Sequence, residues 1–207
     1  MGKIVFGTIG ILLYKYLPRL ITFVPLGVAK ALVCVVMIIG YILYDKELQK
    51  KIKEKFPYIR FFFLGILLWL FQSIGVGILL MLIKQISGYE ISAVSNEHIV
   101  IAPWLYVLIS VVLGPIVEEF LFRGLLQEGL SKVSEKKSWQ ILAIAITSAF
   151  FGILHQIPAQ RVSAFITGCV FGWIYYKKKD VRYGCMLHIG NNFMATLLSY
   201  VLAATII

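Results

Sequence analysis

Long apolar runs separated by short charged stretches constrain this chain more than any other feature. Hydrophobic residues make up 60% of its 207 residues and charged residues only 14%, with a mean hydropathy of +0.88. Soluble domains are about 45–50% apolar. The core of a soluble protein of 207 residues could not bury the additional apolar side chains. Lipid is the natural solvent for them, and the pattern therefore predicts a multi-pass membrane protein.

The apolar runs divide the chain into successive segments. At about 20 residues per span, its length accommodates about seven spans and short loops. We expect an all-α, polytopic transmembrane bundle of about seven or eight helices around a polar catalytic cavity, forming a single membrane domain over 1–207. The first segment is short for a span and also fits an interfacial position. The seven segments are 4–17, 20–44, 60–83, 99–127, 139–157, 161–176 and 183–206.

The basic residues predict an orientation. Fourteen lie at the N-terminus and in every second connection, whereas four lie in the alternate connections. The positive-inside rule then places the N-terminus in the cytoplasm and the C-terminus outside. The net charge of +10 is explained by these span ends, and no basic stripe with interleaved aromatic residues indicates nucleic-acid binding. Three cysteines without a C-x-x-C pair predict neither a disulfide framework nor a thiolate zinc site.

Two adjacent carboxylates interrupt the fourth segment. Ionisable groups within a membrane segment are rare and mark functional sites by default. Glu119 and Arg123 stand at i and i+4 on one helix face and are predicted to pair. Glu118 is rotated by about 100° and stays free to act as a general base. The preceding Gly114-Pro115 predicts a break in helix hydrogen bonding that lines a cavity or packs against protein.

Polar residues on two later segments are candidates for the same site. His155 ends the fifth segment, while His188 and Asn192 stand one helical turn apart in the seventh. If the fourth and fifth segments form a hairpin that turns near 136–137, Glu118 and His155 lie at one level. The alternatives are a packing role for His155 and an interhelical hydrogen bond for the other pair. In the sixth segment, the spacing of Gly168 and Gly172 predicts close helix packing.

These residues resemble the pattern of the CAAX-protease and bacteriocin-processing membrane peptidases, also called the Abi family. The family pattern is E-E-x-x-x-R, F-x-x-x-H and H-x-x-x-N on three membrane helices. The chain matches it at Glu118-Glu119-x-x-x-Arg123, Phe151-x-x-x-His155 and His188-x-x-x-Asn192. The likeness covers about 113–193. It implies a catalytic core over 99–207 and N-terminal membrane helices over 1–98, which carry no part of the pattern.

The resemblance implies an intramembrane glutamic endopeptidase that hydrolyses a peptide bond of a membrane-associated protein or peptide. Glu118 would activate water, and His155 would help to position or protonate the substrate. His188 and Asn192 would stabilise the oxyanion, while Glu119 and Arg123 would support the site. No cofactor is expected, with zinc on the histidines and a glutamate as the alternative. The implied location is the bacterial cytoplasmic membrane, and the implied substrates range from CAAX-type proteins to bacterial peptides in maturation or self-immunity.

Two other classes of function remain open from the sequence. A non-proteolytic scaffold or regulator would use the same polar residues to hold a membrane sensor kinase or a bacteriocin immunity partner. A transporter would use the buried carboxylate as an ion site, although the inverted repeats typical of that class do not occur here. The intact set of motif residues favours the enzyme.

Overall fold

The computed structural model describes residues 1–88 and 103–205, with side chains described as far as 201. Over these ranges the chain forms eight helices and no strand, which confirms the all-α prediction. The start of the fourth segment at 99 and the domain boundary at 98 lie outside the described residues. The helices are α1 Gly2–Leu20, α2 Leu26–Tyr44, α3 Lys46–Ile52, α4 Tyr58–Ser87, α5 Pro103–Ser131, α6 Lys137–Ile153, α7 Pro158–Lys178 and α8 Val181–Thr205.

Fewer helices than expected have the length and apolar composition of a membrane span. Among the described residues, α2, α4 and α5 meet both requirements, and α6 is a shorter apolar helix. The sequence predicted about seven spans. The difference arises because α1, α7 and α8 are long enough but contain charged or amide side chains, which lower their apolar character. Three long apolar helices identify an integral membrane protein without fixing the number of spans.

The basic connections meet at one end of the bundle. A polar cavity of about 350 Å³ is lined there by Lys3, Lys51, Lys132 and Lys179, which belong to four different parts of the chain. Lys51 Nζ donates to the carbonyl oxygen of Lys179, which joins the last turn of α3 to the connection after α7. The connections predicted to share one membrane side therefore share one end of the fold. The cytoplasmic assignment of that end stays a prediction.

Local signals explain where the helices that carry the motifs begin and end. Asp45 caps α3 by accepting a hydrogen bond from the Leu48 N–H at 3.0 Å. Trp139 and Gln140 donate to carbonyl groups in and after the end of α5, which fixes the start of α6 against it. Pro158 begins α7, where its missing N–H has no helical partner to lose. Helices α5 and α6 thus form the predicted hairpin.

Helix α5 is irregular around the two carboxylates. Its turns over Leu108–Leu113 and Phe120–Gln127 are π-helical, and only Gly114–Glu119 between them is α-helical. The Gly114 N–H donates to the carbonyl of Ile109, and Pro115 has no N–H. Consequently neither residue donates to the carbonyl of Ser110. The predicted break is present as a widened helix, and π-turns occur often at functional sites.

Glycines bring α8 close to α4. A methyl group on Gly65 of α4 would overlap the carbonyl of Leu187, and one on Gly190 of α8 would overlap the carbonyl of Phe62. The two helices therefore pack with their backbones in contact. This contact joins the N-terminal helices to the helix that carries His188.

Candidate active site

The pair predicted from the i, i+4 spacing is present and buried. Arg123 Nη1 lies 3.1 Å from Glu119 Oε1, and the two side chains are 1% and 0% exposed. Nη2 of the same guanidinium donates to the carbonyl of Gly168 at 3.1 Å. The aromatic rings of Phe122, Phe151 and Phe171 surround it with centroids 5.0–5.8 Å away. Glu119 therefore has a fixed countercharge inside the protein.

His188 lies between the two carboxylates. Its Nδ1 is 3.2 Å from Glu119 Oε1, and its Nε2 is 3.7 Å from Glu118 Oε2. The ring also contacts Phe151 and Phe171. With Nδ1–H donating to Glu119, the Nε2 of the neutral ring is an acceptor that faces Glu118. The spacing of 3.7 Å exceeds a direct hydrogen bond and allows both atoms to contact one water molecule.

Glu118 differs from Glu119 in exposure and in partners. Its side chain is 21% exposed, and Oε1 accepts a hydrogen bond from the Tyr14 hydroxyl at 3.2 Å. Among the residues that the structure describes, no lysine or arginine pairs with Glu118, and its basic neighbour is His188. The two neighbouring glutamates therefore differ as the helix spacing predicted: Glu119 is buried and paired with Arg123, whereas Glu118 is partly exposed.

Asn192 forms the interhelical hydrogen bond that was the alternative to an oxyanion role. Its Nδ2 donates to the Ser110 carbonyl at 2.9 Å. This carbonyl receives no hydrogen bond from the backbone of Gly114 or Pro115. Its Oδ1 accepts from Asn191 Nδ2 at 3.3 Å, and Asn191 Oδ1 accepts from Gln72 Nε2 at 3.0 Å. An amide carries two donor hydrogens, so one N–H of Asn192 is available. Its role in catalysis stays a prediction.

The fifth segment predicted that His155 lies within a helix. In the structure it lies outside one. Helix α6 ends at Ile153, and His155 follows in the connection to α7. Pro158 disfavours helical geometry at Ile157, so α6 cannot continue unbroken into α7, although α6 already ends four residues earlier. Nδ1 lies 2.9 Å from the Phe151 carbonyl oxygen, and the ring packs edge-on against Phe151. His155 and His188 therefore contact the same aromatic ring, but the structure shows no direct contact between His155 and Glu118.

The two glycines of α7, Gly168 and Gly172, do more than allow close helix packing. A methyl group on Gly168 or Gly172 would press against Ser148, Gln127 or Ile144, which confirms the predicted approach. The Gly172 carbonyl also accepts from Gln127 Nε2 at 2.8 Å, one turn along from the bond between Arg123 and Gly168. The two glycines thus let α5 side chains reach the α7 backbone.

Four residues of the polar network were missed by the motif analysis: Tyr14, Gln72, Gln127 and Asn191, the neighbour of Asn192. Tyr14 and Gln72 lie in the N-terminal helices, far in sequence from every motif. Gln72 does carry a signal, since it is one of the few polar residues inside the apolar run of α4. Gln127 follows Arg123 at i+4. Tyr14 resembles an ordinary interfacial tyrosine in the sequence, and nothing there marks it.

The zinc alternative has a geometric requirement, because catalytic zinc is held by three protein ligands. Within 1–88 and 103–201, no three His, Cys, Asp or Glu side chains gather in a metal-binding group. Neither of two cavities in the fold is lined by Glu118, His155, His188 or Asn192. One is the polar cavity at the basic end, and the other is an apolar cavity of about 360 Å³ between α1, α2 and α5. The predicted polar catalytic cavity is not among them.

Comparison with known proteins identifies the segment that carries the site. Residues 100–194 match the family described as type II CAAX prenyl endopeptidase Rce1-like. No curated protein and no solved structure matches the chain. The matched segment includes Glu118, Glu119, Arg123, His155, His188 and Asn192 and excludes Tyr14 and Gln72. Over residues 100–194 the chain is therefore similar to the Rce1-like family of CAAX-protease membrane peptidases, the family that the three motifs implied.

Proposed function

We propose that this protein is an intramembrane endopeptidase in which Glu118 activates the water that attacks a peptide bond. The observation that carries the proposal is the contrast between the two glutamates. Glu119 is fully buried against Arg123, whereas Glu118 is partly exposed and faces His188 Nε2 at 3.7 Å. A carboxylate without a lysine or arginine partner, beside a ring nitrogen at a distance that one shared water molecule can bridge, suits general-base chemistry.

In the proposed reaction, Glu118 takes a proton from water as the hydroxide attacks the scissile carbonyl carbon. The resulting oxyanion requires hydrogen-bond donors. The available N–H of Asn192 is one candidate, and His188 becomes another when Nε2 is protonated. Glu118 then returns the proton to the leaving amine. His155 would position the substrate or donate a proton from the connection between α6 and α7, at the edge of the site.

Glu119 and Arg123 would support the reaction without contacting the substrate. The carboxylate holds His188 by Nδ1 and so sets which ring nitrogen faces Glu118. Gly184, one turn before His188 on α8, makes room for this arrangement, because a methyl group there would overlap Glu119 Oε2.

The family description, type II CAAX prenyl endopeptidase, supports a membrane-associated substrate and favours CAAX-type proteins over bacteriocin peptides. We propose a membrane-associated substrate cleaved within the bilayer. A prenylated C-terminal peptide and its unprenylated counterpart, both reconstituted with the protein in liposomes, distinguish the two substrate classes. Preferential cleavage of the unprenylated peptide would contradict the CAAX-type assignment.

The decisive experiment compares Glu118→Gln with wild type on both peptides. We expect cleavage to fall by about 10²–10⁴-fold, the typical contribution of a general base. The matched control is Glu128→Gln on the same helix, which removes a carboxylate near Lys132 and Lys179 at the basic end and should leave cleavage unchanged. Equal cleavage by wild type and Glu118→Gln would exclude Glu118 as the base. Absence of cleavage by the wild type would favour the scaffold or regulator.

We also propose that the reaction needs no metal. Oε1 of Glu119 already contacts Arg123 and His188, and within the described residues no three His, Cys, Asp or Glu side chains form a group that could hold a metal ion. Treatment with a membrane-permeant zinc chelator should leave the cleavage rate unchanged. Loss of cleavage that added zinc restores would establish the metal-dependent alternative.

A further inference from the structure

The hydroxyl group of Tyr14 contacts the proposed catalytic base from outside the family segment. Tyr14 lies on α1, and its hydroxyl donates to Glu118 Oε1 at 3.2 Å. The other carboxylate oxygen, Oε2, faces His188. The two oxygens of Glu118 therefore have different neighbours, one from each half of the chain.

The contact is built into the packing of α1 on α5. A methyl group on Gly114, one turn before Glu118, would lie 3.1 Å from the Tyr14 hydroxyl, so the glycine leaves room for it. On α1, a methyl group on Gly7 would lie 3.1 Å from the backbone nitrogen of Leu126. Small residues on both helices thus bring the two backbones together, and Tyr14 lies beside Glu118 as a result.

We propose that Tyr14 is a positioning residue for Glu118, an inference that depends on the proposed function. Without a hydrogen bond to Oε1, the carboxylate group would rotate about the Cγ–Cδ bond. A hydrogen bond to its charged form is strong and directional, and here it holds Oε1 so that Oε2 stays directed toward His188. The N-terminal helices, which carry no motif, therefore complete the geometry of the site.

The test replaces Tyr14 with phenylalanine, which keeps the ring and removes only the hydroxyl. The matched control is Tyr16→Phe on the same helix, where the side chain is 48% exposed. We expect Tyr14→Phe to lower kcat by about 10- to 100-fold, as a misplaced catalytic group does, with KM and the melting temperature unchanged. Tyr16→Phe should behave as wild type. An unchanged kcat for Tyr14→Phe in an active enzyme would overturn the proposal.

A second measurement does not require cleavage. Dicyclohexylcarbodiimide labels carboxyl groups in apolar surroundings, and the adduct at Glu118 can be quantified by mass spectrometry, with Glu118→Gln as the blank. Release from the hydroxyl should make Glu118 label several-fold faster in Tyr14→Phe than in wild type or Tyr16→Phe. If the wild type cleaves neither peptide, the proposed function fails, and the labelling measurement alone tests whether Tyr14 holds Glu118. Equal labelling in all three proteins would then exclude the contact.

Discussion

Helices α4 and α5 have similar apolar character and opposite surroundings. The most apolar 18-residue window of α4 has a mean hydropathy of 2.4, and that of α5 has 2.0. Only 11% of the α4 window is buried within the protein, compared with 56% of the α5 window. Hydropathy therefore identifies both as membrane helices but does not distinguish the one that faces lipid from the one that carries the site.

The difference lies in the polar side chains and their partners. Glu119, Arg123 and Gln127 on α5 are each at most 1% exposed, and all three contact polar groups on α7 or α8. Helix α4 buries one glutamine, Gln72, and its other contacts with α8 are made by glycine backbone and by aromatic rings. A helix that carries charges must be enclosed by polar partners, whereas a helix that faces lipid needs such partners only for the few polar side chains that it buries.

The largest effect on the free energy of unfolding should come from removing a polar partner of the buried charges on α5. Arg123→Met leaves the Glu119 carboxylate buried without its countercharge, which costs about 3–5 kcal/mol for a broken buried pair. The free energy of unfolding, measured by denaturant titration in detergent, should fall by that amount. The matched control is Arg60→Met on α4, where the exposed arginine should contribute little.

A double variant sharpens this prediction. Glu119→Gln combined with Arg123→Met removes both charges, and replacing a buried pair by neutral groups is often close to neutral for stability. We expect the double variant to recover most of the loss. If the double variant is less stable than Arg123→Met, Glu119 has a stabilising role beyond its pairing with Arg123.

The contact between α4 and α8 should produce an intermediate effect. Gly65→Ala places a methyl group against the carbonyl of Leu187, and overpacking of this kind costs about 1–3 kcal/mol. Gly75→Ala on the same helix is the matched control, because nothing lies within 4 Å of its added methyl group. Thermal unfolding of both variants in detergent compares them. Equal stabilities would show that α4 does not pack on α8 through Gly65.

The smallest effect should come from Gln72, the only buried amide on α4. Gln72→Leu removes the hydrogen bond to Asn191, and single interhelical hydrogen bonds in membranes average about 0.6 kcal/mol with a maximum near 1.7. The free energy of unfolding should fall within that range. Gln85→Leu on the same helix replaces an exposed amide and should have no measurable effect. A loss above 3 kcal/mol would mean that Gln72 supports much more than Asn191.

The sequence predicted much of the site, because local helix geometry brings its residues together. The pair of Glu119 and Arg123 follows from a separation of four residues, and the hairpin of α5 and α6 follows from a short charged connection. The position of His155 beyond the end of α6 could not be predicted as easily. Apolar residues continue around it, and Pro158 disfavours helical geometry only at Ile157, four residues beyond the end of α6.

By itself, the sequence determined the membrane setting, the helical class and the identity of the motif residues, since these depend on composition and on spacing within single helices. Tertiary structure alone decided that Tyr14 contacts Glu118, that Gln72 is linked to Asn192 through Asn191, and that Asn192 bonds the Ser110 carbonyl. These contacts join helices far apart in the chain. Their formation depends on how closely glycines allow the backbones to approach, and no spacing within one segment contains that information.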